Sequence, residues 1–130
     1  MRKLNLFRFS FFLLFVFAAT LIGCTDDTPR ILVFSKTAGF YHESIPTGIE
    51  AIQKLGVENG FAVDTTKDAA TFTEQELKKY KAVVFLNTTM NVLTADQQVA
   101  FERYIQAGGG FVGIHAAADT EYDWPWYNRL

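Results

Sequence analysis

Residues 82–86, AVVFL, decide the fold of this chain. A short, continuous apolar run of this kind is typical of a strand that is buried on both faces of a parallel sheet. Residues 31–34 (ILVF) and 111–114 (FVGI) form two similar runs. Residues 61–65 (FAVDT) instead alternate apolar and polar side chains, as an edge strand does. We therefore predict four strands, three of them buried.

The segments between these strands have the signals of helices. The first predicted helix spans about residues 44–59 and stops at Gly60. Capping-box patterns begin at Thr73, for a short helix, and at Thr94, for a longer one that ends at the glycines of residues 108–110. Strict alternation of strand and helix predicts an α/β fold, a doubly wound, flavodoxin-like parallel sheet in three layers, α/β/α. Functional groups are then expected at the carboxyl ends of the strands.

The first 23 residues have the parts of a lipoprotein signal peptide. A basic start is followed by an apolar stretch that is densest at residues 11–19, and LIGC at residues 21–24 resembles a lipobox. Cys24 is the single cysteine of the chain and stands where lipidation requires it. We predict a lipidated Cys24 as the first mature residue, followed by a polar linker over residues 24–30. The protein would then be anchored to a bacterial membrane in the cell envelope.

Residues 31–130 are enough for one small domain. The chain stops within an aromatic, polar segment after the fourth predicted strand, so we expect this domain to be truncated at its C-terminus. Loss of the signal removes three basic residues and leaves 9 basic against 14 acidic ones, a net charge of about −5. Without a basic cluster, nucleic acid is not an expected partner.

Both histidines of the chain, His42 and His115, follow predicted buried strands. The strand at residues 82–86 is expected to lie between those two strands, so the strand ends are about 10 Å apart and side chains can bridge them. Carboxylates are close in sequence: Glu43 beside His42, and Asp119, Glu121 and Asp123 after His115. Imidazole with carboxylate suits acid–base catalysis or a metal site, but a histidine at a strand end is often only hydrogen-bonded to backbone. The spacing matches no strong metal motif, so no metal or cofactor is identified.

Aromatic side chains are candidate sugar contacts. Trp124, Trp126 and Tyr41 could stack on a sugar ring, although packing is the more frequent role of aromatic residues. Residues 35–39 (SKTAG) resemble the phosphate loop of flavodoxins only superficially, because no helix follows promptly.

Two longer stretches, FSKTAGFYHESIP at residues 34–46 and GGGFVGIHAAADTEYDWPWY at residues 108–127, resemble the ThuA-like (trehalose utilisation) family. The resemblance covers about residues 30–130. It implies a fold like that of class I glutamine amidotransferases and a link to sugar metabolism. Family members are longer than this chain. In true glutamine amidotransferases a cysteine nucleophile occupies the turn after the strand, where this chain has His115, so thiol glutaminase chemistry is excluded.

The sequence thus predicts a lipid-anchored ThuA-like domain that acts on or binds a sugar or sugar derivative, a small-molecule carbohydrate. In the catalytic version His42 and His115 are acid–base or metal-binding groups, which Glu43, Asp119 and Asp123 orient. The alternatives are a non-catalytic carbohydrate-binding or scaffold module, with Trp124 and Trp126 as its contact surface, and a non-functional gene fragment. A flavodoxin-like electron carrier is a more distant alternative, which a colourless protein would exclude.

Overall fold

A computed structural model describes residues 27–130. The predicted signal peptide and the lipidation site Cys24 lie outside the described residues, as does the first part of the predicted linker. In the part of the chain that is described, no helix is long and apolar enough to cross a membrane.

In the described residues, four parallel strands form a single sheet: β1 (Arg30–Phe34), β2 (Ala62–Thr66), β3 (Ala82–Leu86) and β4 (Gly110–Ile114). Their order in the sheet is β2-β1-β3-β4. Their register places Val33 of β1 beside Val84 of β3, and Val84 beside Val112 of β4. This is the predicted doubly wound, flavodoxin-like arrangement. As predicted, β3 lies between β1 and β4, the two strands that precede the histidines.

The three α-helices of residues 27–130 follow the predicted stop and start signals: α1 (Ile45–Asn59), α2 (Glu74–Leu77) and α3 (Ala95–Gln106). α1 ends at Gly60, which adopts a φ of 73°, the left-handed conformation that glycine accepts without strain. At the start of α2 the Glu76 amide donates to Thr73 Oγ1 at 3.2 Å. At the start of α3 the Thr94 amide donates to Gln97 Oε1 at 2.9 Å.

Helices cover both faces of the sheet, which gives the predicted three layers. On one face, Val33, Val84 and Leu86 form an apolar cluster with Ile49 and Ile52 of α1. On the other face, the alternate residues of the same strands pack against α2, α3 and the aromatic C-terminal segment; this larger cluster includes Leu32, Phe34, Leu77, Phe85 and Phe101. Alternation along each strand thus divides its side chains between two cores.

The prediction that residues 111–114 form a strand buried on both faces was wrong. β4 pairs with β3 alone among the described strands, and Val112 is 47% exposed. The reason is the position of α1, which packs mainly over β2 and β3. An apolar run identifies a strand but does not indicate whether a helix covers it.

Candidate functional site

The two histidines meet at the carboxyl edge of the sheet. His42 lies in the turn before α1, and His115 directly follows β4. Their ring centroids are 4.7 Å apart and the ring planes are inclined by 75°. This edge is the place where doubly wound folds bind ligands, because the loops on either side of the strand-order reversal diverge there.

His115 stands on a strained backbone. Its φ of 50° lies in the left-handed region, and the residue begins a 3₁₀ turn, His115–Asp119, immediately after the strand. A non-glycine residue in this conformation costs free energy and persists only where the surrounding structure imposes it. The sharp turn leaves His115 exposed at the edge, whereas His42 is half-buried.

Thr89, in the loop that follows β3, holds the segment before His42. The Ala38 amide donates to the Thr89 carbonyl at 3.0 Å, and the Gly39 amide donates to Thr89 Oγ1 at 3.2 Å. The Thr89 hydroxyl donates in turn to the carbonyl of Phe40 at 3.1 Å. The backbone of residues 38–40 is therefore fixed against the loop that follows β3, before the chain reaches His42.

The same loop also holds the segment after His115. The Met90 amide donates to the Asp119 carbonyl at 2.7 Å, and the Glu121 amide donates to the Met90 carbonyl at 3.2 Å. The Glu121 side chain is only 1% exposed, and its Oε1 accepts from the amides of Val92 and Leu93, both at 2.7 Å. Gln98 Nε2 donates to the second carboxylate oxygen at 2.6 Å. The loop after β3 thus joins the loops that hold the two histidines.

Asn87 is a functional candidate that was not predicted from the sequence. It is the first residue after β3, is 3% exposed and has a φ of 52°. Its backbone amide donates to the carbonyl of Ile114, the residue before His115. Its side-chain Nδ2 donates to Ser44 Oγ at 2.9 Å. Its Oδ1 is buried without a hydrogen-bond partner among the described residues. Its position in the sequence could have indicated this role, because a polar residue directly after an apolar strand lies at the ligand-binding edge of the sheet.

The three predicted carboxylates do not contact the imidazoles. Asp119 accepts a hydrogen bond from the Tyr122 hydroxyl, and Asp123 accepts one from Asn91 Nδ2 at 2.9 Å. Glu43 is exposed to solvent. Across residues 27–130, neither histidine has a carboxylate partner by hydrogen bond or salt bridge.

The predicted aromatic contacts lie in two places. Trp124 and Trp126 are half-buried and stack on each other at 4.9 Å, and both also contact the ring of Phe101 in the larger core. Their rings therefore stabilise the C-terminal segment. Tyr41 is 37% exposed in the loop that contains His42, and the Lys67 ammonium lies 5.5 Å from its ring centroid.

A cavity of about 240 Å³ opens beside His115. Tyr127 closes one side of this cavity and donates its hydroxyl to the Ala117 carbonyl at 2.9 Å. Burial, together with the Glu121 carboxylate, raises the pKa of the Tyr127 phenol, so the hydroxyl keeps its proton and remains a donor. The lining residues are Phe111, Gly113, His115, Ala117, Ala118 and Tyr127.

The donor set for a metal ion is small. Among the side chains that the structure describes, no group of three or more histidine, cysteine, aspartate or glutamate residues could hold a metal ion. His42 and His115 alone bring two imidazoles together. The arrangement suits recognition of a polar ligand and proton transfer to or from it.

Comparisons with known proteins agree with this architecture. The sequence profile of the ThuA family, described as trehalose utilisation, matches residues 30–130. The crystal structure of a ThuA-like protein from Bacteroides uniformis ATCC 8492 superimposes with a TM-score of 0.65 at 30% sequence identity. That match covers 78% of this chain and 42% of the relative, so the chain spans less than half of the relative's length. No curated protein matches the chain significantly. The match to the profile over most of the described residues shows that this chain belongs to the ThuA family.

Proposed function

We propose that the carboxyl edge of this ThuA domain binds a sugar or sugar derivative between the loops that contain His42 and His115. The observation that supports the proposal most directly is the pair of imidazoles, 4.7 Å apart at the ligand-binding edge of a doubly wound sheet. Imidazole nitrogens donate and accept hydrogen bonds, as sugar hydroxyls do. The family description, trehalose utilisation, supports a carbohydrate as the ligand.

In the catalytic form of this proposal, the two imidazoles move protons on the bound sugar. One neutral imidazole accepts a proton from a hydroxyl or an acidified C–H group, and the other, in its protonated form, donates one. General acid–base catalysis of this kind contributes about 10²- to 10⁴-fold to a rate when the groups are within hydrogen-bonding reach. The exposed His115 is the group that reaches substrate most easily.

A non-catalytic sugar-binding module is the second candidate, and one observation favours it. A catalytic imidazole is commonly oriented by a hydrogen bond from its second nitrogen to a carboxylate. Within residues 27–130, Asp119 and Asp123 bond to Tyr122 and Asn91 instead, and Glu43 is exposed. Binding without turnover requires no such orientation.

We also propose that the domain is attached to a bacterial membrane in the cell envelope through a lipid on Cys24. The support is the sequence alone: a basic start, the apolar stretch and the lipobox-like LIGC at residues 21–24. The polar residues between Cys24 and β1 would then connect the lipid to the domain. Sugar binding would take place in the cell envelope.

Turnover in the wild-type chain and in His115→Asn tests the catalytic form. Asparagine tolerates a positive φ better than most residues, so this variant keeps the turn after β4 while it removes the imidazole. We expect wild type to convert at least one member of a panel of glucosides headed by trehalose, followed by proton NMR of the sugar. His115→Asn should reduce that rate by at least about 100-fold with an unchanged melting temperature.

Glu102→Gln on α3, which packs against the face of the sheet opposite to α1, is the control variant and should keep the wild-type rate. Equal turnover in His115→Asn and wild type would contradict the catalytic role of this imidazole. Saturable binding with no turnover in wild type would favour the second candidate.

A further inference from the structure

Phe40 is an apolar ring in water beside the histidine pair. It is 71% exposed, and its ring centroid lies 4.9 Å from that of His42, with an interplanar angle of 75°. His42 in turn contacts His115. Three rings, one apolar and two polar, therefore follow one another along the carboxyl edge.

The exposure of Phe40 is imposed by the structure. The Phe40 carbonyl accepts from the Thr89 hydroxyl, and the two preceding residues bond to Thr89 as well. Met90 lies over Gly39 so closely that a Cβ atom there would be 2.6 Å from Met90 Cγ. The backbone under Phe40 is therefore pinned on two sides, while an exposed ring of this size gains no free energy from burial in the protein.

The aromatic side chains that were predicted from the sequence as sugar contacts already have partners. The faces of Trp124 and Trp126 are engaged with each other and with the core, and the ring of Tyr41 contacts the Lys67 ammonium. Within residues 27–130, Phe40 has one ring contact, the edge-on contact with His42, and most of its surface is accessible. It therefore offers an accessible apolar ring face beside the histidine pair.

We propose that Phe40 is the stacking platform for the ligand, and that the apolar C–H face of a pyranose ring lies on it while hydroxyls of the same sugar reach His42 and His115. A pyranose has one face rich in C–H groups and a rim of hydroxyls, which matches an apolar ring next to two imidazoles. Aromatic rings attract such C–H groups through the negative face of their π system. This inference rests on the proposed function and names the residue that selects for a sugar.

Affinity for trehalose and related glucosides in Phe40 variants tests the inference. The chain has two histidines, so two imidazole Cε1–H signals, one from each ring, report binding at this site directly in a ¹H–¹³C NMR spectrum. We expect Phe40→Leu to weaken binding about tenfold or more, because leucine keeps apolar volume but lacks a π face. Phe40→Tyr should bind within about threefold of wild type, because it keeps the ring.

Phe61→Leu is the matched control. Phe61 is half-buried just before β2, at the amino ends of the strands, whereas the histidines lie at the carboxyl ends. Its replacement should therefore leave the affinity unchanged. Saturation-transfer NMR with irradiation of aromatic protons should mark the sugar C–H protons in wild type and lose that mark in Phe40→Leu.

The outcomes separate this inference from the proposed function. Wild-type affinity in Phe40→Leu, or equal loss in Phe40→Leu and Phe40→Tyr, would overturn the stacking role and leave sugar binding at the histidines intact. Unshifted imidazole signals in wild type with every sugar of the panel would overturn both.

Discussion

Single side chains far apart in the sequence determine the shape of the site. Asn87 joins the end of β3 to Ser44 and to the residue before His115. Glu121 fixes the loop that follows β3, although it lies about 30 residues away along the chain. A carboxylate that is buried at 1% exposure is tolerated because three donors satisfy it.

Replacement of Glu121 should be the most destabilising change near the site. Glu121→Ala leaves the amides of Val92 and Leu93 buried without acceptors, so we expect the free energy of unfolding to fall by about 3 kcal/mol. Glu121→Gln keeps an acceptor for both amides and should cost about 1 kcal/mol. Urea unfolding followed by circular dichroism measures both values.

Asp123→Ala provides the comparison, because Asp123 is an exposed acid with one hydrogen bond in the same segment. Its effect should stay within about 0.5 kcal/mol. A Glu121→Ala variant as stable as Asp123→Ala would show that the loop after β3 does not depend on this carboxylate.

At the scale of elements, α1 approaches the sheet closely at two glycines. A Cβ atom on Gly56 would lie 2.6 Å from the carbonyl oxygen of Phe61 and 2.8 Å from Val63 Cγ2. A Cβ atom on Gly48 would meet only the ends of the Leu86 side chain, at 3.0 and 3.1 Å. Backbone cannot yield as a side chain can, so the two positions differ in kind.

Alanine at these two positions should therefore have different effects. Alanine favours a helix by about 1 kcal/mol over glycine. At Gly48 this gain should offset the small shift of Leu86, and stability should change little. At Gly56 the clash should dominate and lower the free energy of unfolding by about 2 kcal/mol. Thermal melts of both variants measure the difference in stability. A Gly56→Ala variant at least as stable as Gly48→Ala would contradict the packing described for α1.

The elements could be predicted from the sequence because their signals are local. Apolar runs located the strands, and Gly60, Thr73 and Thr94 located helix ends within a residue or two. The exposure of Val112 could not be predicted, because it depends on where α1 crosses the sheet. The roles of Asn87 and Glu121 depend on partners distant in sequence, and so does the packing of Trp124 and Trp126 against Phe101.

At the scale of the whole molecule, the approach of His42 to His115 follows from topology. The strand order brings β1 and β4 to either side of β3, so loops from both reach one edge. The contact between the two imidazoles, in contrast, depends on the side chains in these loops and on the sharp backbone turn at His115. The ThuA relative with a known structure extends well beyond the region it shares with this chain.

The predicted membrane anchor also belongs to this scale. Expressed in a bacterium, the chain should fractionate with membranes and enter the detergent phase, because a lipid on Cys24 adds about 0.8 kcal/mol of membrane affinity for each buried CH₂ group. Cys24→Ser should remove the lipid and leave the product out of the detergent phase. Intact mass distinguishes the two species, and an unmodified mass for the wild-type chain would contradict the anchor.

The most direct test of the central claim is the ¹H–¹³C NMR spectrum of the two imidazoles during a titration with trehalose and related glucosides. His42→Gln and His115→Asn each leave one imidazole Cε1–H signal, so the two variants together assign both signals to their residues. Because the rings are 4.7 Å apart, we expect both signals to shift together along one saturable curve with a single Kd. Sugar-dependent changes elsewhere in the spectrum, with both imidazole signals unmoved, would contradict a sugar site at the carboxyl edge.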